Sequence, residues 1–300
     1  MRFGYPCISL LTERTTNHSC MLKSATPEKL RSLIRQNLDE LKAILRHNLE
    51  HNWLLFRIGS SVIPFGSHPV NTITWWHEFK PDLNEIGRFA RQHDLRLSFH
   101  PGQYTVLNSN RPDVISRAIA ELAYSTRFLD ELGLDSRHKV IIHIGGVYGD
   151  KPAAMDRFCD TVSELDDAIR RRLVIENDER SYTPADALAI SNRTGLPVIF
   201  DNLHYQANPG EGELDDLLGR VFATWNAADG VPKVHFSTQA SEGRTGHHAD
   251  DADPDAFDRW MERWLPFGDF DVMLEAKNKD IALQKLTRGG KYDRYLVDSA

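Results

Sequence analysis

Imidazoles and carboxylates end one short apolar run after another along this chain. Leu97-Ser98-Phe99 leads into His100, and Val140-Ile141-Ile142 into His143. Val174-Ile175 runs into Glu176, Asn177 and Asp178, and Ile199-Phe200 into Asp201, Asn202, Leu203 and His204. Lys233-Val234-His235 and Met273-Leu274-Glu275 repeat the pattern. His68 lies in a Ser67-His68-Pro69 loop after another such run, and a His247-His248 pair follows His235. Ionisable side chains are costly to bury unless they pair or bind metal. One histidine at such a place, His143 for example, is as often structural as functional. The recurrence of the pattern is difficult to explain by packing.

The donors mix His with Asp and Glu and include no Cys. That set suits Mn²⁺, Zn²⁺ or Fe²⁺ better than Ca²⁺ or an iron–sulfur cluster. Carboxylates able to bridge, with imidazoles around them, imply two or three divalent cations, with Mn²⁺ the first choice. Such clusters activate water and clamp both oxygens of an in-line displacement at phosphorus. Residues two apart on a strand share a face, so Lys233 points the same way as His235. A lysine buried there must lose its charge or find anions. Among metals and carboxylates it could also be carbamylated and bridge ions.

Elements that alternate must position these groups. Strand patterns fall at residues 2–8, 54–59, 96–100, 139–145, 172–178, 197–204, 232–238 and 270–277. Several are continuous apolar runs, as for strands covered by helices. Residues 27–47 carry Leu30, Ile34, Leu38, Leu41 and Leu45 at helical spacing. Thr183-Pro184 reads as an N-cap and first helical position before 185–194, and Gly195 and Pro197 end that helix. Residues 111–133, 150–170, 214–225 and 254–265 also read as helices. Eight βα units predict an α/β fold, a single (β/α)8 TIM barrel, whose strand ends at one rim hold the chemistry. No GxGxxG follows the first strand, which argues against an open doubly wound sheet. The barrel is expected over residues 1–288, with a loose polar tail at 289–300.

Composition bounds the rest. A hydrophobic content of 41% is enough for one large core. The net charge of −7 argues against a basic nucleic-acid binder, but metal ligands count in that sum and bound cations do not. Cys7, Cys20 and Cys159 are odd in number and form no CxxC pair, so a reducing compartment is expected. The N-terminal residues lack a long apolar run, and no window is long enough to span a membrane. The expected location is cytoplasmic. No GxxxxGK[ST] loop implies a nucleotide cofactor. His18, His47, His51, His77, His93 and His138 read as solvated surface, and Asp250-Asp251-Ala252-Asp253 as a solvated acidic loop.

Several motifs in order resemble one family. They are Gly4-Tyr5-Pro6-Cys7, Phe56-Arg57-Ile58-Gly59-Ser60, Pro64-Phe65-Gly66-Ser67-His68-Pro69 and Ser98-Phe99-His100-Pro101-Gly102-Gln103-Tyr104. His143-Ile144-Gly145-Gly146-Val147-Tyr148-Gly149, Glu176-Asn177-Asp178-Glu179-Arg180 and Asp201-Asn202-Leu203-His204 continue the series. Lys233-Val234-His235-Phe236-Ser237 and Glu275-Ala276-Lys277-Asn278-Lys279-Asp280 complete it. The chain resembles the UV damage endonucleases, a branch of the xylose-isomerase-like barrel superfamily, from about residue 2 to residue 286.

The resemblance implies metal ligands at His68, His100, His143, Glu176, Asp201, His204, His235, His248 and Glu275, and a modified lysine at Lys233. Glu176, Lys233 and His235 are the catalytic candidates. It implies that Gln103 and Tyr104 probe the duplex opposite a lesion and that Tyr5 lines a lesion pocket. Ser9 stands where the family usually has Asn, which puts one pocket contact in question. The implied partner is damaged double-stranded DNA, cut by a monomer. Arg57, Lys151, Arg180, Arg244 and Lys277 are candidates for phosphate contacts. Two rival readings are a sugar isomerase of the same superfamily and a protein that recognises damage without cutting.

Overall fold

Eight four-residue runs of mostly buried side chains close into a parallel barrel in the computed structural model, which describes residues 1–296. Its strands are β1 (Phe3–Pro6), β4 (Leu55–Ile58), β5 (Arg96–Phe99), β6 (Val140–His143), β7 (Leu173–Glu176), β8 (Val198–Asp201), β9 (Lys233–Phe236) and β10 (Asp271–Leu274). A small antiparallel hairpin, β2 (Ile8–Ser9) with β3 (Arg14–Thr15), stands on the loop after β1. Sheet order follows the chain, and β1 joins β10 on one side and β4 on the other. Gly4 permits that closure, since a Cβ there would lie 1.8 Å from the Leu55 carbonyl oxygen. The predicted single (β/α)8 TIM barrel is therefore the fold.

Helices cover the outside: α1 (Pro27–Glu50), the short α2 (Trp75–Glu78), α3 (Lys80–Gln92), α4 (Pro112–Glu131), α5 (Lys151–Ser163) and α6 (Asp167–Arg170). They continue with α7 (Pro184–Thr194), α8 (Asn202–Ala207), α9 (Leu214–Ala223), α10 (Pro254–Trp264) and α11 (Lys279–Thr287). Thr183 and Asp186 form the reciprocal cap of α7, and Gly195 ends it at a φ of 73°.

Each predicted strand contains the observed one but overruns it. The segment 197–204 stops being a strand at Asp201, whose carboxylate caps α8 by accepting the His204 amide at 2.8 Å. The single helix read over 150–170 is two, α5 and α6. Ser163 turns its hydroxyl onto the Asp160 carbonyl at the break, the competition that makes serine a poor helix interior. Helices α3 and α11 lie outside the predicted set. The segment read as a loose polar tail is anchored by Tyr292, which is buried edge-on against Phe3 and Phe257 and bonds Asp258 Oδ1 at 2.6 Å. Residues 297–300 of that tail lie outside the described residues.

The end of the barrel opposite the donors is closed by ion pairs. Asp271 accepts from the Arg2 amide at 2.7 Å and from Arg96 Nη1 at 2.8 Å. Arg96 also donates to the carbonyls of Arg137, Val231 and Asp229. Lys139 pairs with Asp229 at 2.5 Å. Next to them sits His138, which is buried and not on the surface as its sequence context implied. Its Nδ1 accepts the Leu97 amide at 3.0 Å, so the neutral ring fits and the charged ring does not.

Burial pushes the His138 pKa down from 6.5 to about 3, with Arg96 and Arg172 adding to the effect and Asp135 opposing it. Below pH 6.5 the unfolded chain binds a proton that the folded ring refuses, so stability must fall as pH drops from 6.5 toward 3. The steepest slope for one proton is about 1.4 kcal/mol per pH unit. His138→Asn, which keeps an acceptor for Leu97, should flatten the stability–pH profile over that window. Urea melts of both proteins between pH 5 and 7 check this; parallel profiles would refute it.

Candidate metal centre

Seven of the donors read from the sequence converge on the rim of the barrel, gathered about Glu176 at the end of β7. Its Oε1 lies 2.8 Å from His235 Nδ1 and 3.5 Å from His204 Nδ1, and its Oε2 lies 3.0 Å from His100 Nε2. The His143 ring stands 5.0 Å from that of His100 and 5.5 Å from that of His204. Asp201 lies 3.8 Å from His204 and 3.9 Å from His235. Glu275 closes the ring 3.3 Å from His235. Three donor sets, each with its ligand atoms within 4.8 Å of one another, share members: His100-His143-Glu176, Glu176-Asp201-His204, and Asp201-His235-Glu275. Several acidic and histidine clusters able to hold metal ions thus abut at one rim.

Two side-chain amides hold this rim in register. Asn177 receives the Asp201 amide at 2.9 Å and donates to the Asp201 carbonyl at 3.2 Å. Asn202 does the same for Ser237, at 2.8 and 3.0 Å. The Asn177 carbonyl also contacts His204 Nδ1 at 3.0 Å. Each amide continues the backbone ladder past the last residue of a strand. The sequence motifs contain both residues without assigning either a role. The readable signal was Asn directly after a carboxylate at two successive strand ends.

Electrostatics favour cations here. Burial works to raise the Glu176 pKa, but His235, His143 and bonds to His100 and His204 hold it well below the carboxylate range. Burial also opposes ionisation of Glu275, and Arg57 and His235 overcome it. Asp201 is raised by burial, against His204 and reinforced by Glu176 and Glu275. The His204 imidazolium is resisted by burial, yet Asp201 and Glu176 lift its pKa to about 11. Burial lowers His143 to about 4. Two buried atoms of the cluster, Asp201 Oδ2 and His143 Nδ1, have no hydrogen-bond partner among the described residues. Buried acceptors left unmade are costly, and divalent ions are the partners such a donor set takes. The residues present therefore fit a metal group.

The remaining expected ligands stand differently. His248 flanks Glu275, with Nδ1 2.5 Å from its carbonyl and 4.0 Å from Oε2. His68 is not brought into the cluster. It is exposed, its Nδ1 accepts the Val70 amide at 3.0 Å, and it lines a neighbouring cavity of about 680 Å³ with Phe65, Tyr104 and Glu121. Lys233 lies on the barrel interior one pleat below His235, is 0% exposed, and its Nζ has no partner among the described residues. Burial, with Arg96 and Arg57 nearby, drives its pKa well below that of an ordinary lysine.

Tyr5 and Ser9 are placed away from any groove. Tyr5 points into the helical layer, packs on Trp53 and Phe56, and bonds Asn48 Oδ1 at 2.7 Å. Ser9 is fully buried and donates to Asp280 Oδ2 at 2.5 Å. Neither offers DNA a surface, because inward and outward positions alternate from residue to residue and Tyr5 falls on the outward face. Gln103 and Tyr104 do project. They occupy the tip of a turn closed by the Thr105 amide on the Gly102 carbonyl at 2.8 Å, and Tyr104 is 74% exposed. Its ring lies over Gly102, where a Cβ would come within 2.4 Å. Tyr104 separates the His68 cavity from a second one of about 510 Å³ that reaches His143 and Arg180.

Among the phosphate candidates, Arg57 is a buried member of the cluster. It pairs with Glu275 and stands 2.9 Å from His235 Nε2. Lys151 is held by Asp186 at 2.5 Å, and Lys277 stands 3.3 Å from Asp250. Arg180 and Arg244 remain exposed. No helix among the described residues is long and apolar enough to cross a membrane.

Comparison with known proteins agrees across the whole length. A family model described as UV-endonuclease UvdE matches residues 1–296. The chain is 43% identical over 289 residues to a UV DNA damage endonuclease of Clostridium perfringens, covering 95% of this chain and 69% of that protein. It is 35% identical over 292 residues to one of Bacillus cereus strain Q1, covering 94% and 92%. The crystal structure of SacUVDE superposes with a TM-score of 0.93 at 36% identity, over 99% of this chain and all of that one.

Proposed function

The chain belongs to the UV-endonuclease UvdE family, and on that premise we propose that it nicks duplex DNA immediately 5′ of ultraviolet photoproducts. The products are a 3′-hydroxyl and a 5′-phosphate, and no nucleotide is consumed. Cyclobutane dimers and 6-4 photoproducts are the substrates, with abasic sites a further class. The observation that carries this reading is the convergence of His100, His143, Glu176, Asp201, His204, His235 and Glu275 on one rim, with buried Asp201 Oδ2 and His143 Nδ1 left without a hydrogen-bond partner among the described residues.

Two or three divalent ions, Mn²⁺ first and Zn²⁺ or Fe²⁺ next, would be held by these residues with His248, and when bound supply water activation and charge neutralisation at phosphorus. His68, the remaining expected ligand, would join them from the neighbouring cavity that it lines. Glu176 would be shared between ions, since its two oxygens face different imidazoles. His235 and Arg57 orient Glu275 and keep it ionised. Lys233, uncharged and on the same strand face as His235, would add carbon dioxide as a carbamate with release of a proton, placing an anion in the barrel interior.

Gln103 and Tyr104 act as a wedge. A stacked dimer must leave the helix before its backbone reaches the rim, and an aromatic with an amide fills the gap it leaves. Support comes from their place at the tip of a turn between two cavities. Exposed Arg180 and Arg244 meet phosphates, so affinity falls as salt rises. The enzyme works as a cytoplasmic monomer.

A duplex carrying one photoproduct, incubated with metal-free protein and single ions in turn, tests the proposal. The expected result is a single nick 5′ of the lesion, restored by Mn²⁺ and abolished by chelator. Tyr104→Ala should lower incision by about tenfold to a hundredfold, in line with about 1–3 kcal/mol per stacked base, and leave the melting temperature unchanged. Incision in the presence of excess chelator, or cutting of undamaged DNA at the same rate, would overturn it.

A further inference from the structure

We propose that His47, Glu50 and His51, at the end of α1, form a second site for a divalent transition ion, zinc(II) foremost. The three residues lie at helical positions i, i+3 and i+4, so they share one face. Each presents a ligand atom, and the three atoms lie within 4.8 Å of one another. The two imidazole centroids are 4.3 Å apart.

The rings are held in place. His51 Nδ1 lies 3.0 Å from the His47 carbonyl, to which it can only donate. That bond puts the proton on Nδ1 and leaves the Nε2 lone pair free, the usual arrangement of a metal-binding imidazole. The His51 ring stacks on the buried Trp53 at 4.5 Å and 26°, and His47 meets the same indole edge-on at 5.8 Å. His47 Nε2 is buried and has no hydrogen-bond partner among the described residues.

The surroundings favour a cation. Asp280 Oδ2 lies 3.9 Å from His47 Nε2, already fixed by the Ser9 hydroxyl and the Leu11 amide. The site lies at the carbonyl end of a 24-residue helix, where the backbone dipoles present negative charge. Two imidazoles and one carboxylate select zinc, copper or nickel over magnesium or calcium, and leave a coordination position for water. The site shares no residue with the Glu176 cluster. A bound ion would clamp the last turn of α1 onto Trp53, at the entry to β4.

Full-length protein freed of metal, then equilibrated with zinc chloride and counted by elemental analysis, tests this. Glu50→Gln and His51→Gln should each bind one equivalent fewer than wild type and nick photoproduct DNA at the wild-type rate. Nickel should quench Trp53 fluorescence in wild type, and that quenching should vanish in both variants and in Trp53→Phe. Because Glu50 is exposed and does not stack, its variant reports on the ion even if His51→Gln disturbs the indole. Unchanged stoichiometry and quenching would overturn the proposal. So would a loss of nicking along with the lost zinc, which would place that ion in the rim centre.

Discussion

Glu176→Gln should lower incision of photoproduct DNA by about two to three orders of magnitude while the barrel stays folded. The substitution keeps side-chain volume and changes only charge and donor pattern. Glu176 is buried and faces His235, His100 and His204 within 3.5 Å. An amide there cannot supply the negative charge that two adjoining donor sets share. Its NH2 group would also point at ring nitrogens that expect an acceptor. Far-UV circular dichroism should match wild type, and elemental analysis should find fewer bound ions. Wild-type incision by this variant would refute the role assigned to the cluster.

Asp271→Asn should cost about 3–5 kcal/mol of stability, the penalty of breaking a buried ion pair. The carboxylate is fully buried and holds Arg96 and the Arg2 backbone amide. Arg96 would lose its carboxylate partner and Arg2 one of its two, so buried positive charge is left uncompensated. The opposite rim is untouched, so incision below the melting transition should persist. Urea denaturation and incision on the same preparation check both halves. A loss under about 1 kcal/mol would mean that the arginine has relaxed to water.

Much of this molecule was legible because burial on both faces makes barrel strands apolar without interruption. Each strand therefore stood out, and the residue closing each run named the donor. Alternation correctly paired Lys233 with His235. The failures share one cause: sequence shows which residues are polar but not which way they face. Asp201 read as the body of a strand because a strand end and a helix cap look alike there. Arg57 read as a candidate phosphate contact because nothing local tells that β4 turns it inward onto Glu275. Tyr5, expected to line a pocket, and Ser9, at the position of the family's Asn, are both buried, bonded to Asn48 and Asp280, which no local pattern reveals. His47 and His51 read as solvated surface because their packing on Trp53 depends on a residue beyond the helix.

Asn177 and Asn202 stitch neighbouring strand ends together without help from the connecting loops. The framework that aims the donors is therefore independent of the segments that meet the substrate. The turn carrying Gln103 and Tyr104 can be exchanged while strand-borne His143, Glu176, Asp201 and His235 keep their aim, whereas the segments carrying His100, His204 and His248 must stay. That separation makes the scaffold a practical starting point for engineering incision at other kinds of damaged backbone, provided both asparagines are left alone.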